Sequence, residues 1–163
     1  ELSKIESGRV PLQKQKTNIE FLITNPVERM SLQAERARIE LKSDFPEKPI
    51  EIEVDVVRIQ NVFINLIHNA IKFTAPGGNI IVSAEKDRNS VIFKVSDTGS
   101  GISENELTRI FERFYKSDRS RSTGGTGLGL SISNHIIESH NGSIWVESQI
   151  GKGSTFFISL PIN

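Results

Sequence analysis

The chain of 163 residues contains no cysteine, carries no net charge and has no long apolar run. Without cysteine it can form neither a disulfide nor a thiolate metal site. Its 20 basic and 20 acidic residues balance, which argues against a general surface for nucleic acid or anionic membrane. No apolar stretch approaches the roughly 20 residues that a membrane-spanning helix needs, and no signal peptide is visible.

The length predicts one domain with a core large enough to fold alone. The only methionine is Met30, and the chain starts at Glu1 within an apparent helix. We therefore interpret the chain as a fragment of a longer protein. Residues 1–8 are typical of the last turns of a helix that Gly8 ends.

Apolar periodicity predicts an α/β (α+β) fold in which helices lie on one face of a layered structure. Helices are predicted over residues 17–38, 56–73, 103–112 and 127–140, and strands over residues 39–45, 50–54, 80–86, 91–97, 143–148 and 154–160. The last four strands form two predicted hairpins, because short polar or glycine-containing turns separate them. No internal repeat is present.

Helix boundaries follow from residues that cap helices or interrupt them. Thr17 with Glu20, and Ser103 with Glu106, have capping-box spacing. Asp55 is placed to cap the long second helix. Pro26 is expected to kink the first helix or to restart it, with Asn25 as the new cap.

The second helix carries an unusual polar stripe opposite its apolar face. Asn61, Asn65, Asn69 and Lys72 recur at steps of four, four and three. Such a stripe is often only a solvated face, but solvated faces are usually built from strong helix formers such as Glu, Lys and Arg. An asparagine carbonyl oxygen suits Mg²⁺ when phosphates supply most of the other ligands. A lysine one turn further on could reach a phosphate.

The segment DTGSGI, residues 97–102, follows an apolar strand directly. Gly99 and Gly101 allow the backbone to turn tightly and to lie close to a ligand. An ordinary turn explains the segment equally well. Alternatively, the Asp97 carboxylate could accept a hydrogen bond from an exocyclic amine such as that of adenine.

Two further glycine-rich segments are, taken alone, weaker evidence for a ligand site. GGTGLGL, residues 124–130, lies where a polar loop over residues 116–126 meets a helix, a position typical of anion sites. Lys116, Arg119 and Arg121 precede it and could either contact phosphates or keep the loop soluble. Solubility best explains the two arginines, whereas both explanations stay open for Lys116. GKGSTF, residues 151–156, reads most simply as a hairpin turn, and Thr155 could add a hydroxyl to a base pocket beside Asp97.

Taken in order and spacing, these segments resemble the catalytic ATP-binding domain of sensor histidine kinases. Residues 65–74 resemble the N box of that family, and residues 97–102, 125–129 and 151–156 resemble its three glycine boxes. Residues 111–115, FERFY, resemble its F box. The similarity covers about residues 11–163, and residues 1–10 resemble the end of the preceding dimerisation helix and its linker.

The resemblance implies a histidine-kinase/gyrase-type ATP-binding fold: a two-layer sandwich with a mixed, largely antiparallel sheet, helices on one face and an ATP lid over about residues 112–126. It implies ATP and Mg²⁺ as ligands, with Asn69 binding the metal. Asn65 and Lys72 would lie at the phosphates, and Lys116 near the γ-phosphate. Phe73 would lie beside adenine, and Asp97 would accept from the adenine amine, with Thr155 supporting Asp97 through water. The other nucleotide-binding positions that it implies are Gly99, Gly101, Ile102, Tyr115, Gly125, Thr126, Gly127, Leu128 and Gly129. The catalytic residues that it implies are Asn65, Lys72 and Lys116.

The same resemblance bears on the reaction and on the partners. ATP-hydrolysing relatives carry a glutamate base at the position of Asn65, and an amide cannot take a proton from water at neutral pH, so rapid hydrolysis is disfavoured. None of His68, His135 and His140 has the context of the family's phosphoacceptor. The expected partners are therefore a separate dimerisation and phosphoacceptor domain of the parent protein and a response regulator, with no nucleic acid.

The fragment is expected to be monomeric and the parent a homodimer. It is expected to be a soluble cytoplasmic domain of a parent that can be anchored in the cell membrane. Three alternatives stay open: a non-catalytic nucleotide-binding scaffold, a protein-serine kinase of the same fold and, least favoured because of Asn65, a gyrase-like ATPase.

Overall fold

The fold is a two-layer sandwich in which helices cover one face of a mixed sheet. The computed structural model describes residues 11–113, 115 and 129–162. The elements are β1 (Gln15–Asn18), α1 (Ile19–Arg36), β2 (Glu40–Asp44), β3 (Glu51–Val54), α2 (Val56–Phe73), β4 (Asn79–Asp87), β5 (Ser90–Asp97), α3 (Glu104–Leu107), α4 (Gly129–Ser139), β6 (Ser143–Gln149) and β7 (Gly153–Pro161).

Five of these strands form the main sheet in the order β2-β4-β5-β7-β6, and β1 pairs with β3 in a separate antiparallel ribbon. β2 and β4 run parallel, whereas the pairs β4–β5, β5–β7 and β6–β7 are antiparallel. This mixed, largely antiparallel sheet confirms the predicted fold class.

Strand alternation places the core on one face of the sheet. In β5, Val91, Phe93 and Val95 are at most 1% exposed, and the residues between them are less buried, as the two-residue period of a strand requires. Phe93 meets Phe63 of α2 edge to face, with ring centroids 5.2 Å apart. Full burial of one such side chain stabilises the fold by about 1.5–3 kcal/mol. Trp145, on the opposite face, stays 36% exposed.

The first helix starts later than predicted and is not interrupted. Thr17 does not cap it, because Thr17 pairs with Ile52 in the β1–β3 ribbon. Asn18 has extended backbone angles and is the cap, since its side chain accepts from the Glu20 N–H at 2.9 Å. Pro26 lies inside α1 and is buried, so the expected restart with an Asn25 cap is wrong. Burial of the apolar proline ring offsets part of the loss of the helix hydrogen bond that proline cannot donate.

The helix predicted over residues 103–112 is also shorter. Only Glu104–Leu107 is α-helical, and hydrogen-bonded turns follow it. Ser103 makes no side-chain cap. Its hydroxyl instead donates to Glu106 Oε2 at 3.3 Å, so the second capping box is not formed. The helix predicted over residues 127–140 is confirmed as α4 in the part that the structure describes.

Several predictions concern residues outside the described ranges. These are the dimerisation-helix remnant over residues 1–10, most of the lid, and Lys116, Arg119, Arg121, Gly125, Thr126, Gly127 and Leu128. Within the described ranges, no helix combines the length and the apolar character needed to cross a bilayer.

His140 joins the loop after α4 to the start of α2. It is 2% exposed, and its Nε2 lies 3.0 Å from the Asp55 backbone nitrogen, which donates to it. Nε2 must therefore be unprotonated, so Nδ1 carries the hydrogen and donates to the Ile136 carbonyl oxygen at 2.8 Å. Burial lowers the pKa of His140 below its usual value, and the charges of Lys14 and Arg58 add to this effect, although the Ile136 carbonyl and the Asp55 carboxylate oppose it.

We expect this contact to make stability fall in acid. Because the folded pKa of His140 is lowered, its contribution is fully present above the unfolded pKa of about 6.5 and is lost as pH falls through the folded value. The loss cannot exceed about 1.4 kcal/mol per pH unit for one proton. His140→Gln can keep both hydrogen bonds without titrating, so its free energy of unfolding should fall less steeply between about pH 7 and 4.

Denaturant unfolding at a series of pH values checks this expectation. His68→Gln is the matched control, because His68 is exposed on α2 and its substitution should leave the native slope unchanged. Parallel pH curves for the native chain and His140→Gln would contradict the account.

Candidate functional site

The polar stripe of α2 divides into an exposed part and a half-buried part. Asp55 starts the helix, because its Oδ1 accepts from the Arg58 N–H at 3.3 Å. Asn61 is exposed, so the interpretation as a solvated face holds there. Asn65 and Asn69 are half-buried. The second half of the stripe therefore borders other parts of the domain and not bulk solvent alone.

Asn65 lies against the first turn of α4. Its Nδ2 is 3.3 Å from the hydroxyl oxygen of Ser133. A Cβ on Gly129 would lie 2.5 Å from Asn65 Oδ1, so a larger residue at position 129 would displace the amide. The structure thus brings together two residues that the sequence nominated separately, Asn65 and Gly129, and the glycine is explained by the approach of the amide.

Asp97 ends β5 with its carboxylate held by the backbone. Its Oδ1 accepts from the N–H of Gly99 at 2.8 Å and from the N–H of Ser154 at 3.3 Å. Two donors on one oxygen fix the orientation of the carboxyl group, which offers about four acceptor positions in total. The strand therefore presents a preorganised acceptor on the helix-facing side of the sheet.

The loop after Asp97 packs on the end of α2. The Ser100 N–H donates to the Phe73 carbonyl oxygen at 3.1 Å. A Cβ on Gly99 would lie 2.5 Å from the same carbonyl oxygen. Lys72 Nζ lies 5.4 Å from the centroid of the Phe73 ring. Phe73 therefore contacts both the Lys72 side chain and the loop that follows Asp97.

The first glycine box also packs on the β6–β7 hairpin. Gly101 has a φ of +76°, and a Cβ there would overlap the Gln149 carbonyl oxygen. The Ile102 N–H donates to Ser148 Oγ at 2.7 Å, and Ile102 is 3% exposed. The Gly151 N–H donates to the Ser100 carbonyl oxygen at 2.8 Å. Close protein packing thus accounts for Gly101, which the sequence had linked to a ligand.

The structure does not bring Thr155 to Asp97, and the expectation that it supports Asp97 is corrected. Thr155 pairs with Ser96, and their hydroxyl oxygens lie 2.7 Å apart on the sheet face away from the helices. Ser154 is the partner of Asp97 in the strand register and is 3% exposed. Ser154 is therefore a site residue that the sequence reasoning missed. Strand alternation with the buried Phe156 could have found it, because residues two apart share a face.

Thr74 is a second residue that the sequence reasoning missed. Its hydroxyl is buried and has no hydrogen-bond partner among the described residues. A Cβ on Gly99 would lie 3.0 Å from Thr74 Oγ1 and 2.9 Å from Asp97 Oδ1, so the two oxygens flank this glycine. Buried polar groups are rarely left without a partner. A bound water or a polar group of a ligand would satisfy Thr74.

Tyr115 lies at the start of the predicted lid and is held by the segment that precedes it. Its hydroxyl donates to Glu106 Oε1 at 3.0 Å. The Arg109 guanidinium lies 4.6 Å from the centroid of the tyrosine ring. Phe111 of the same segment packs edge to face on Phe156, with centroids 6.3 Å apart. The described part of the F box is thus anchored to the core and to α3.

The donor set on α2 fits Mg²⁺ only together with a phosphate ligand. The described residues contain no group of three His, Cys, Asp or Glu side chains that could hold a metal ion. Neutral amides such as Asn69 supply hard oxygen but no charge. Mg²⁺ commonly takes one or two protein ligands and fills its shell with water and phosphate oxygens. The arrangement fits a metal that arrives with a nucleotide.

The chain is similar in sequence and in fold to known histidine kinases. The chain is 36% identical over 165 aligned residues to the circadian input-output histidine kinase CikA of Synechococcus elongatus. This match covers 99% of the chain and 22% of CikA, so the chain spans about a fifth of that relative.

Two solved structures show how far the fold agrees. The catalytic domain of the histidine kinase ThkA matches with a TM-score of 0.82 and 30% identity, covering 92% of this chain and 98% of that one. Full-length ShkA in complex with AMPPNP matches with a TM-score of 0.88 and 29% identity, covering 98% of this chain and 33% of that one. Residues 54–163 match the family described as histidine kinase-, DNA gyrase B-, and HSP90-like ATPases, and the chain therefore belongs to that family.

Proposed function

We propose that this domain binds Mg-ATP and donates the γ-phosphoryl group to a histidine on a separate dimerisation domain of its parent protein. The observation that carries the proposal is the Asp97 carboxylate, fixed by two backbone donors and followed by a loop that packs on Phe73 at the end of α2. Complete sensor histidine kinases among the relatives, and the AMPPNP complex of ShkA, support it.

Adenine would be recognised where β5 ends. Asp97 accepts a hydrogen bond from the exocyclic amine, a donor that hypoxanthine lacks. Phe73 lines the base, and the Thr74 hydroxyl, which has no partner among the described residues, holds the water that completes this pocket. Leaving a half-buried carboxylate without its donor costs more than losing a neutral contact, so this arrangement selects adenine over hypoxanthine.

The phosphates would lie along α2 towards α4. Asn69 supplies an amide oxygen to the metal, and Asn65 and Lys72 contact the phosphates. Bound Mg²⁺ supplies charge neutralisation for the oxygens around the transferred phosphorus. Lys72 contributes a further positive charge, and the helices orient the nucleotide. Lys116, Gly125, Thr126, Gly127, Leu128 and Gly129 are proposed to complete the phosphate side.

The reaction that this site supports is transfer to an incoming nitrogen. An imidazole nitrogen of the acceptor forms a bond to the γ-phosphorus. The bond from that phosphorus to the bridging oxygen breaks, and the electron pair leaves with ADP. No residue of this chain needs to act as a strong base, which agrees with an amide at position 65. Positioning and charge neutralisation supply the rate.

None of the histidines in this chain is placed as the acceptor. His140 is buried and uses both ring nitrogens. His68 and His135 lie on α2 and α4, within the nucleotide-binding domain itself. The acceptor is therefore proposed to lie on the dimerisation domain, and the product would serve a response regulator.

Phosphoryl transfer in trans tests the proposal. The native chain and radiolabelled ATP are mixed with and without the parent's dimerisation domain. We expect acid-labile label on the added domain and none on this chain. Label on the isolated chain would contradict the proposal. Acid-stable label would indicate a protein-serine kinase, and nucleotide binding without any transfer would indicate a scaffold.

A further inference from the structure

A buried hydroxyl on α4 holds the amide of Asn65, although no nucleotide role falls to this hydroxyl in the proposed function. Ser133 is 2% exposed, and its Oγ lies 3.3 Å from Asn65 Nδ2. It is one of few polar side chains buried among the described residues. The contact joins α2 and α4, and the two residues lie 68 positions apart in the sequence.

A second contact from the same helix face confines the amide. Gly129 lies four residues before Ser133, so both face the same neighbour. A Cβ on Gly129 would lie 2.5 Å from Asn65 Oδ1 and 2.9 Å from Nδ2. The amide therefore rests against the backbone of Gly129 and is tied at its nitrogen end to Ser133. Its freedom to rotate is limited on both counts.

We propose that Ser133 is a positioning residue for phosphoryl transfer, acting by fixing which end of the Asn65 amide meets the nucleotide. The inference rests on the proposed function, in which Asn65 lies beside the phosphates. The carbonyl end of an amide suits cations and water hydrogens, whereas its NH₂ end suits phosphate oxygens. In the observed orientation Nδ2 donates to Ser133, and an amide rotated by 180° would exchange the NH₂ and carbonyl ends that the nucleotide meets. Ordering a side chain that is free to rotate also costs part of the binding energy.

Substitution of Ser133 should therefore slow transfer without unfolding the domain. A net hydrogen bond of this kind corresponds to roughly a 3- to 10-fold effect. We expect Ser133→Ala to lower kcat for transfer to the added dimerisation domain by about that factor, with a smaller change in KM for ATP. Ser133→Thr keeps the hydroxyl and should restore most of the rate. Ser139→Ala is the matched control, because Ser139 is on the same helix and donates to the Ile136 carbonyl oxygen.

A double-mutant cycle separates positioning from a purely structural role. If Ser133 acts only through Asn65, then Ser133→Ala should cause no further loss in an Asn65→Ala background. The same fractional loss in both backgrounds would overturn the inference. An unchanged rate for Ser133→Ala in the native background would also overturn it. Denaturant unfolding of each variant shows whether a lower rate reflects lost structure.

A measurement without nucleotide distinguishes failure of this inference from failure of the proposed function. Hydrogen exchange of the Asn65 side-chain amide, followed by NMR, should be faster in Ser133→Ala by about threefold or more, as expected for the loss of one hydrogen bond. Unchanged exchange would overturn the inference whatever the activity. Faster exchange in a domain that transfers no phosphoryl group would show that the proposed function is what fails.

Discussion

Asp97→Asn should weaken ATP binding by about 10- to 100-fold while the fold stays intact. Hydrogen bonds to charged groups contribute about 1.5–3 kcal/mol, and each 1.4 kcal/mol is a tenfold change in affinity. Asparagine retains an oxygen that can accept from the Gly99 and Ser154 N–H groups. Its NH₂ group would then face the adenine amine, so that two donors would meet. Calorimetric titration with a non-hydrolysable ATP analogue measures the change.

Asp87→Asn is the matched control for this prediction. Asp87 is an exposed aspartate at the end of β4, at the other end of the β4–β5 pair from Asp97, and its substitution removes the same charge without touching the site. It should bind the analogue as the native chain does. Equal affinities for the native chain and Asp97→Asn would contradict the assignment of adenine to Asp97.

Gly101→Ala should destabilise the domain by about 3 kcal/mol or more, whereas Gly151→Ala should cost only about 1 kcal/mol. Both glycines have a positive φ, +76° for Gly101 and +82° for Gly151. A Cβ on Gly151 meets no atom within 4 Å, but a Cβ on Gly101 would overlap the Gln149 carbonyl and lie 2.9 Å from Ile150 Cα. Backbone atoms cannot move aside as a flexible side chain can.

The pair separates backbone strain from steric overlap, because only the second differs between the two positions. Denaturant unfolding gives the two free energies. Gly101→Ala should also bind nucleotide less well, since relief of the overlap displaces the loop that follows Asp97. Equal losses of unfolding free energy in the two variants would show that packing on the β6–β7 hairpin is not the reason why position 101 requires glycine.

The sequence was sufficient for the parts of the site that lie on strongly patterned elements. The apolar period of α2, with Asp55 before it, predicted both the helix and its cap, and the structure confirms both. Asp97 was placed correctly because an apolar strand ends there. In each case a local pattern and the tertiary environment favour the same structure.

Other features depend on long-range contacts that a local pattern does not contain. β1 is a strand because β3 pairs with it, and its polar residues carry no strand signal of their own. Ser154 and Thr155 are adjacent in the sequence, and only the register against β5 decides that Ser154, through its backbone N–H, meets Asp97. The glycine at 101 suggested a ligand, but its conformation follows from the approach of the β6–β7 hairpin.

Calorimetric titration of the native chain with ATP and with ITP, in the presence of Mg²⁺, tests most directly whether Asp97 recognises the adenine amine. ITP replaces the exocyclic amine of adenine with a carbonyl oxygen, which would face the Asp97 carboxylate. We expect an ATP dissociation constant in the roughly micromolar to millimolar range and binding of ITP at least about tenfold weaker. Equal binding of the two nucleotides, or no binding of ATP, would contradict it.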